Sequence, residues 1–278
     1  MESRSVVAEA VAGHIDIDLA SQPTPASGDG RVDVWLTCLC ERCRDPEPDC
    51  LQLLSKAERA KWNRFVVEDA RLQYLVSRAL VRTTLSRYAE VSAQDWEFEA
   101  NRYGWPYISG PQAKHRIQFN LSNTTGLVAC AVARDTSVGV DVENTGRALN
   151  VEALAPAVFA AEELKDLWSC PASDRRDRFF SYWTLKESYI KARGMGLSIP
   201  LDSFWFDLDG SSPRLHVTDR CGDHGHRWQF RQFVPTPEHK LAIAIAAGES
   251  ERPSIQLHWI TPMSGRATSS RRCCGPGV

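Results

Sequence analysis

Charge of either sign in excess is missing from this chain: 33 Lys and Arg face 35 Asp and Glu, a net charge of −2. No basic field is available to hold nucleic acid or an anionic membrane surface, so any site for a phosphate ligand must be local. No run reaches the roughly 18 apolar residues of a membrane span. The first residues carry Glu2, Glu9, His14 and Asp16 and have no apolar stretch of signal-peptide length. A soluble, cytoplasmic protein is expected. The patterns G-x₄-G-K-[ST], H-E-x-x-H and G-x-S-x-G are also absent, which removes support for the chemistries those patterns carry. Nine cysteines include one C-x-x-C, Cys40 and Cys43. No second Cys or His pair follows at zinc-finger spacing, so thiols in a reducing compartment are expected rather than a zinc site.

What is present is ordinary for a globular protein: 278 residues, 43% hydrophobic and 24% charged, with nine Trp and ten Phe to fill a core. Residues 1–31 read as a flexible arm ending in SQPTPASGDG, and 249–278 as a disordered tail ending in TSSRRCCGPGV. Between them, VDVWLTC from Val32 alternates like a strand. Ser55 and Glu58 form a capping box that opens a helix, and Leu72, Leu75, Val76, Ala79 and Leu80 recur at helical steps. The stretch 101–111 is turn-rich; IQFNL (117–121), LVACAVA (127–133) and VGVDVE (138–143) are strand-like. Helical regions are expected from Val151 to Trp168 and from Asp174 to Arg193, the latter stopped by the GMG at 194–196. The order strand, helices, strands occurs twice. It predicts an α/β (α+β) fold made of a pseudo-two-fold pair of similar halves, 32–134 and 135–248.

Two acidic patterns stand out. Asp141 and Glu143 are two apart on a strand, hence on one face and about 6.5–7 Å apart, where they could share a hard cation. Taken alone, D-x-E is an ordinary solvent-facing strand edge, but Val138, Val140 and Val142 mark the other face as buried. In FFSYWTLKESYIKARG (179–194), Glu187 shares a helical stripe with Phe180, Trp183 and Ile190. A carboxylate in that setting needs a partner, and Lys191, one turn on, is the expected one. By itself the pair is a helix-stabilising i, i+4 contact of about 0.2–0.5 kcal/mol. With Asp141 and Glu143 added, three carboxylates and a lysine suit Mg²⁺-assisted phosphoryl transfer without a P-loop.

VGVDVE, a gap of some forty residues, and FFSYWTLKESYIKARGMGLSIPLDSF together resemble the signature of the Sfp-type phosphopantetheinyl transferases. AKWNRF (60–65), RYGWP (102–106) and FNLSNTTG (119–126) extend the resemblance over about 32–248. It implies a monomer with the active site in the cleft between the halves, coenzyme A as co-substrate and Mg²⁺ held by Asp141, Glu143 and Glu187. Apo peptidyl, aryl or acyl carrier proteins would be the partners, those of peptide and polyketide synthases first among them, with adenosine 3′,5′-bisphosphate released. Catalytic roles fall on Glu187, as base directly or through a water, and on Lys191. Contacts to coenzyme A fall on Lys61, Ser122, Asp141, Lys186 and Lys191. Trp183 is expected to pack, and Glu163 matches a position where the family often has glutamate. This chain departs from the family pattern at Trp105, where a lysine is usual, at Asn123, where histidine is frequent, and at Glu58, where lysine is common. Recognition of the 3′-phosphate is therefore expected to differ. A non-catalytic carrier-binding module and a metal-dependent phosphohydrolase are the alternative readings.

Overall fold

The computed structural model describes residues 30–39, 48–248 and 253–260. Cys40, Cys43, the arm up to residue 29 and the rest of the tail lie outside the described residues.

Apolar runs whose two faces are both covered become central strands, and alternating runs become edges. Helices α1 (Pro48–Leu53), α2 (Lys56–Trp62) and α3 (Glu68–Leu85) follow β1 (Arg31–Cys38). A short hairpin, β2 (Phe98–Ala100) and β3 (Pro106–Ile108), leads to β4 (Ile117–Thr124) and β5 (Leu127–Arg134). The second half repeats the plan. It opens with β6 (Val138–Asn144), then α4 (Val151–Val158), α5 (Ala161–Ser169) and α6 (Arg175–Arg193). A small hairpin of β7 (Phe204–Asp207) and β8 (Arg214–Val217) precedes β9 (Gln229–Thr236) and β10 (His239–Ile245). The strand orders β1-β5-β4 and β6-β10-β9 are the same arrangement, first strand antiparallel to third and third antiparallel to second.

The elements stack in four layers. Helix α3 covers the outer face of the first sheet through Val76, Leu80, Val128, Cys130 and Val132. The two sheets then meet through Val34, Ala129, Ala131, Val140, Val142 and Ile243. Helix α6 closes the far side through Tyr189, Phe230, Ala242 and Ala244. β5 and β10, the middle strands, are apolar and buried along almost their whole length.

Three sequence expectations change. Residues 254–259, placed in a disordered tail, form β11 (Ser254–Trp259), which pairs in parallel with β1. Its alternating SIQLHW covers an open sheet edge, and His258 Nε2 lies 2.7 Å from the buried Asp33 carboxylate. The single helical region expected over 151–168 is divided at Phe159 and Ala160, because Glu163 reaches back to the Ala160 amide (3.0 Å) and starts a new helix there. Likewise, the helix opened by the Ser55–Glu58 box, which forms with both its hydrogen bonds, ends at Trp62; α3 begins separately at Glu68.

Candidate active site

Side chains rather than a backbone ladder join the two halves along β4 and β6. Alternate residues of β4, Asn120, Ser122 and Thr124, accept hydrogen bonds from the amides of Val140, Val142 and Asn144 at 2.8, 3.2 and 3.1 Å. The N-x-S-x-T alternation within FNLSNT was the sequence signal for this seam, since period-2 polar residues in an apolar strand point to one face. The opposite face of the same strand, Ile117, Phe119 and Leu121, packs toward α3.

β6 splits its own residues in the same way. Val138, Val140 and Val142 enter the core between the sheets, which leaves Gly139, Asp141 and Glu143 toward α6. The helix lies so close that a Cβ on Gly139 would stand 2.0 Å from the Ser188 carbonyl oxygen. Only glycine permits that approach, and the approach brings Glu187 and Lys191 over Asp141.

Lys191 Nζ donates to Asp141 Oδ1 at 2.6 Å and to Ser122 Oγ at 2.8 Å, and Ser122 Oγ donates to Asp141 Oδ1 at 2.9 Å. Residues from β4, β6 and α6 thus meet at one point. Lys191 pairs with Asp141 instead of the expected Glu187, because it reaches across to the strand and not back along its own helix. Asp141 is 4% exposed, and its second oxygen, Oδ2, is buried with no hydrogen-bond partner. Glu143 accepts from Trp183 Nε1 at 2.9 Å and faces Arg147 Nε at 3.2 Å. Trp183 therefore both packs and orients a carboxylate. Arg147, four residues after Glu143, is a member of the cluster that sequence reading missed, although the i, i+4 spacing was its signal.

The electrostatics record crowding of negative charge. Burial, and then the charge of Asp141, push the Glu143 carboxyl above its ordinary range. The same causes in the same order raise Glu187 to about 7, with Lys191 opposing. No described residue gives Glu187 a hydrogen bond or ion pair. Three carboxylates face two cations, Lys191 and Arg147, so the cluster retains about one negative charge and a bare oxygen. That donor set suits a hard divalent cation. Among the described residues no group of three metal-ligating side chains is formed; Lys191 lies against Asp141 and Arg147 against Glu143.

Other candidates lie elsewhere. Lys186 projects from the far side of α6. It is 0% exposed, paired with the equally buried Glu163 at 2.8 Å, and donates to the carbonyls of Leu201 and Phe204. Its assignment to a cofactor contact is corrected: it anchors α6 to α5 and β7, and Glu163 is its counter-ion. Two adjacent motif residues, Lys186 and Glu187, face different surroundings because they are about 100° apart on the helix. Lys61 lies exposed on α2 with its ammonium 5.4 Å from the Tyr74 ring centre, and no described contact links it to Asp141.

The departures from the family pattern have local partners. Glu58 caps α2 and holds the buried Arg82 at 2.8 Å. Asn123 faces Ser77 at 3.5 Å. Trp105 packs on Gly194 at the end of α6, where Asn101 Nδ2 also donates to the Gly194 carbonyl at 2.8 Å. A cavity of about 250 Å³ opens there, on the same seam, lined by Trp105, Phe119, Val138 and Ala192 among others.

Residues 137–246 match the family described as the 4′-phosphopantetheinyl transferase superfamily, and residues 48–135 match 4′-phosphopantetheinyl transferase, N-terminal. The chain is 30% identical over 200 residues to the 4′-phosphopantetheinyl transferase Sfp of Bacillus subtilis, covering 70% of this chain and 84% of that one. The 4′-phosphopantetheinyl transferase HetI of Nostoc is 30% identical over 198 residues, 71% of this chain and 81% of the relative. The relative Gsp of Aneurinibacillus migulanus is 33% identical over 168 residues, 60% and 67% respectively.

Proposed function

This chain belongs to the 4′-phosphopantetheinyl transferase superfamily and so transfers phosphopantetheine from coenzyme A to carrier proteins; we propose that it does so at the seam, with Mg²⁺ held by Asp141, Glu143 and Glu187. The observation that supports this most is the buried, unpartnered Asp141 Oδ2 beside two carboxylates that burial first, and the charge of Asp141 second, push above their ordinary range. When bound, the cation supplies neutralisation of the pyrophosphate charge.

The chain's own groups do the rest. Lys191, tied to both Ser122 and Asp141, fixes a positive charge at the centre of the seam, where charge developing on phosphate oxygens is stabilised. Trp183 and Arg147 hold Glu143 in one orientation. Glu187 is the proposed acceptor of the carrier serine's proton, directly or through a water. The serine oxygen forms a bond to the β-phosphorus, the bond to the nucleotide phosphate breaks, and adenosine 3′,5′-bisphosphate leaves with that electron pair. Lys61, exposed on α2, is the proposed contact for the nucleotide end. One chain supplies both sides of the seam, so a monomer suffices. A reducing cytoplasm is the proposed compartment, in keeping with the buried free thiol of Cys130. Carrier domains of peptide or polyketide synthases are the proposed substrates.

Incubation with coenzyme A, Mg²⁺ and an apo carrier tests the whole reading. Intact mass spectrometry should show the carrier gaining one phosphopantetheinyl group, with none on a carrier whose serine is replaced by alanine and none after chelation. Breakdown of coenzyme A without a modified carrier would favour a phosphohydrolase.

A further inference from the structure

Of the two cations that answer the carboxylates of the seam, one is held firmly and the other loosely. Lys191 makes two short bonds, to Asp141 and Ser122, and its side chain is 17% exposed. Arg147 meets Glu143 at longer range. Its Nε lies 3.2 Å from Oε2 without forming a hydrogen bond, and a terminal nitrogen donates to Oε1 at 3.4 Å. This side chain is 37% exposed, and among the described residues Glu143 is the acid within ion-pair distance of it.

The surroundings suit a side chain that leaves while its backbone stays. Arg176 donates to the carbonyls of Thr145 and Arg147, and Asn144 Oδ1 accepts from the Gly146 amide at 2.8 Å, so the loop after β6 is pinned. The Arg147 guanidinium lies 5.5 Å from the Phe180 ring centre, and the Arg176 guanidinium shares that ring at the same distance. Two like charges thus border one aromatic side chain. Glu143 keeps its place without Arg147, because Trp183 Nε1 donates to Oε1 at 2.9 Å. A divalent cation that takes Glu143 as ligand meets the Arg147 charge 3.2 Å from one of its oxygens. Like charges so close, in a partly buried site, repel strongly. The rim beyond is mixed in sign: Lys240 is paired with Asp177 at 2.7 Å, and Glu238 is exposed on the turn beside Thr145. The charge that changes partner is therefore Arg147 alone.

We propose that Arg147 is a displaceable counter-ion that couples the two ligands of the seam. In the free protein it covers Glu143; when Mg²⁺ takes Glu143, the released guanidinium pairs with a phosphate oxygen of coenzyme A. This role rests on the assignment of Asp141, Glu143 and Glu187 to Mg²⁺ and adds the control of that site's occupancy. A guanidinium suits the exchange, since carboxylate and phosphate both offer its planar fork a pair of oxygens. Each ligand then strengthens the other, by the same factor in both directions.

Binding of Mn²⁺ as the probe cation tests it, followed by electron paramagnetic resonance with and without coenzyme A and with no carrier present. The signal is corrected for the Mn²⁺ that coenzyme A holds by itself. In the parent, coenzyme A should tighten Mn²⁺ binding at least about twentyfold. In Arg147→Gln, Mn²⁺ alone should bind at least about fivefold tighter than to the parent, and the gain from coenzyme A should shrink at least about fivefold. A parent that shows no gain, or a variant that keeps the parent's gain, would overturn the coupling and leave the metal assignment standing. Absence of Mn²⁺ binding by the parent under either condition would overturn both. The parent also gives a readout that does not depend on the variant's folding. Arg147 Nε is buried in the free protein, so its N–H signal in nuclear magnetic resonance should be protected from exchange with water. Saturating Mg²⁺ without coenzyme A should remove that protection, and a signal equally protected with and without Mg²⁺ would overturn the release of Arg147.

Discussion

Asp141 is the residue on which the seam converges, and its environment determines what its loss should do. Its carboxylate already repels Glu143 and Glu187, so Asp141→Ala should leave the fold intact, with circular dichroism unchanged and a melting temperature within a few degrees of the parent. Transfer of phosphopantetheine should nonetheless fall to background. A ligand that binds only the native state raises its stability, so added Mg²⁺ should raise the melting temperature of the parent and not of the variant. Equal shifts in both would remove Asp141 from the ligand set. Glu187 adds a pH signature. The unfolded chain ionises this residue near its ordinary 4.5, whereas the fold holds the proton to about 7. Below 4.5 both states are protonated and nothing is lost. From 4.5 to 7 the native state binds more protons than the unfolded state, so stability falls as pH rises, by at most about 1.4 kcal/mol per pH unit. Above 7 the loss is complete and the curve levels. Without metal, Glu187→Gln should flatten this slope in urea titrations across that window. An unaltered slope would place the pH dependence elsewhere.

At the scale of elements, the close contact of β6 with α6 is the feature most exposed to a small change. Gly139→Ala places a methyl group against the Ser188 carbonyl and must push the helix off the strand. A destabilisation of about 3 kcal/mol is expected, together with loss of transfer even well below the melting temperature, because Lys191 and Asp141 separate. Retained activity in a stable variant would show that the strand moves instead. On the far side of the helix, Lys186→Met leaves Glu163 buried without its cation, at a cost of roughly 3–5 kcal/mol. The KM for coenzyme A should be unaffected in whatever fraction remains folded, which separates an anchor from a ligand contact. These two residues also show what could be read from the sequence. VGVDVE and the helix carrying Glu187 were legible as elements, because strand alternation and helical spacing are local properties. So were β1, β4 and β5. The direction taken by Lys186, and the choice of Asp141 over Glu187 by Lys191, depend on which element lies opposite, and no local pattern encodes that. The helix break at Ala160 is similar: Glu163 appears as an unremarkable residue of an acidic turn until Lys186 arrives beneath it.

Across the whole molecule, β11 returns the end of the described chain to its beginning. Removal of residues 253 onward uncovers the β1 edge and takes His258 from Asp33, although Arg31 and Tyr88 still hold that carboxylate. The truncated protein should melt several degrees lower and aggregate more readily through the open strand, yet retain transfer at low temperature, since no residue of the seam is removed. Loss of activity in a folded truncation would mean that β11 contributes to the site. The parallel pairing of β1 and β11, from Arg31 opposite Ser254 to Leu36 opposite Trp259, also has a mechanical consequence. The entry to β1 and the exit from β11 lie at opposite ends of the pair, so tension applied at Gly30 and Ile260 slides one strand along the other and loads all its hydrogen bonds together. Tension applied at Gly30 and Asp135 instead pulls on the antiparallel β1 and β5 from the same end and opens them one bond at a time. In an optical trap the first geometry should yield at several times the force of the second, making this fold strong along the line of its own chain and weak across it.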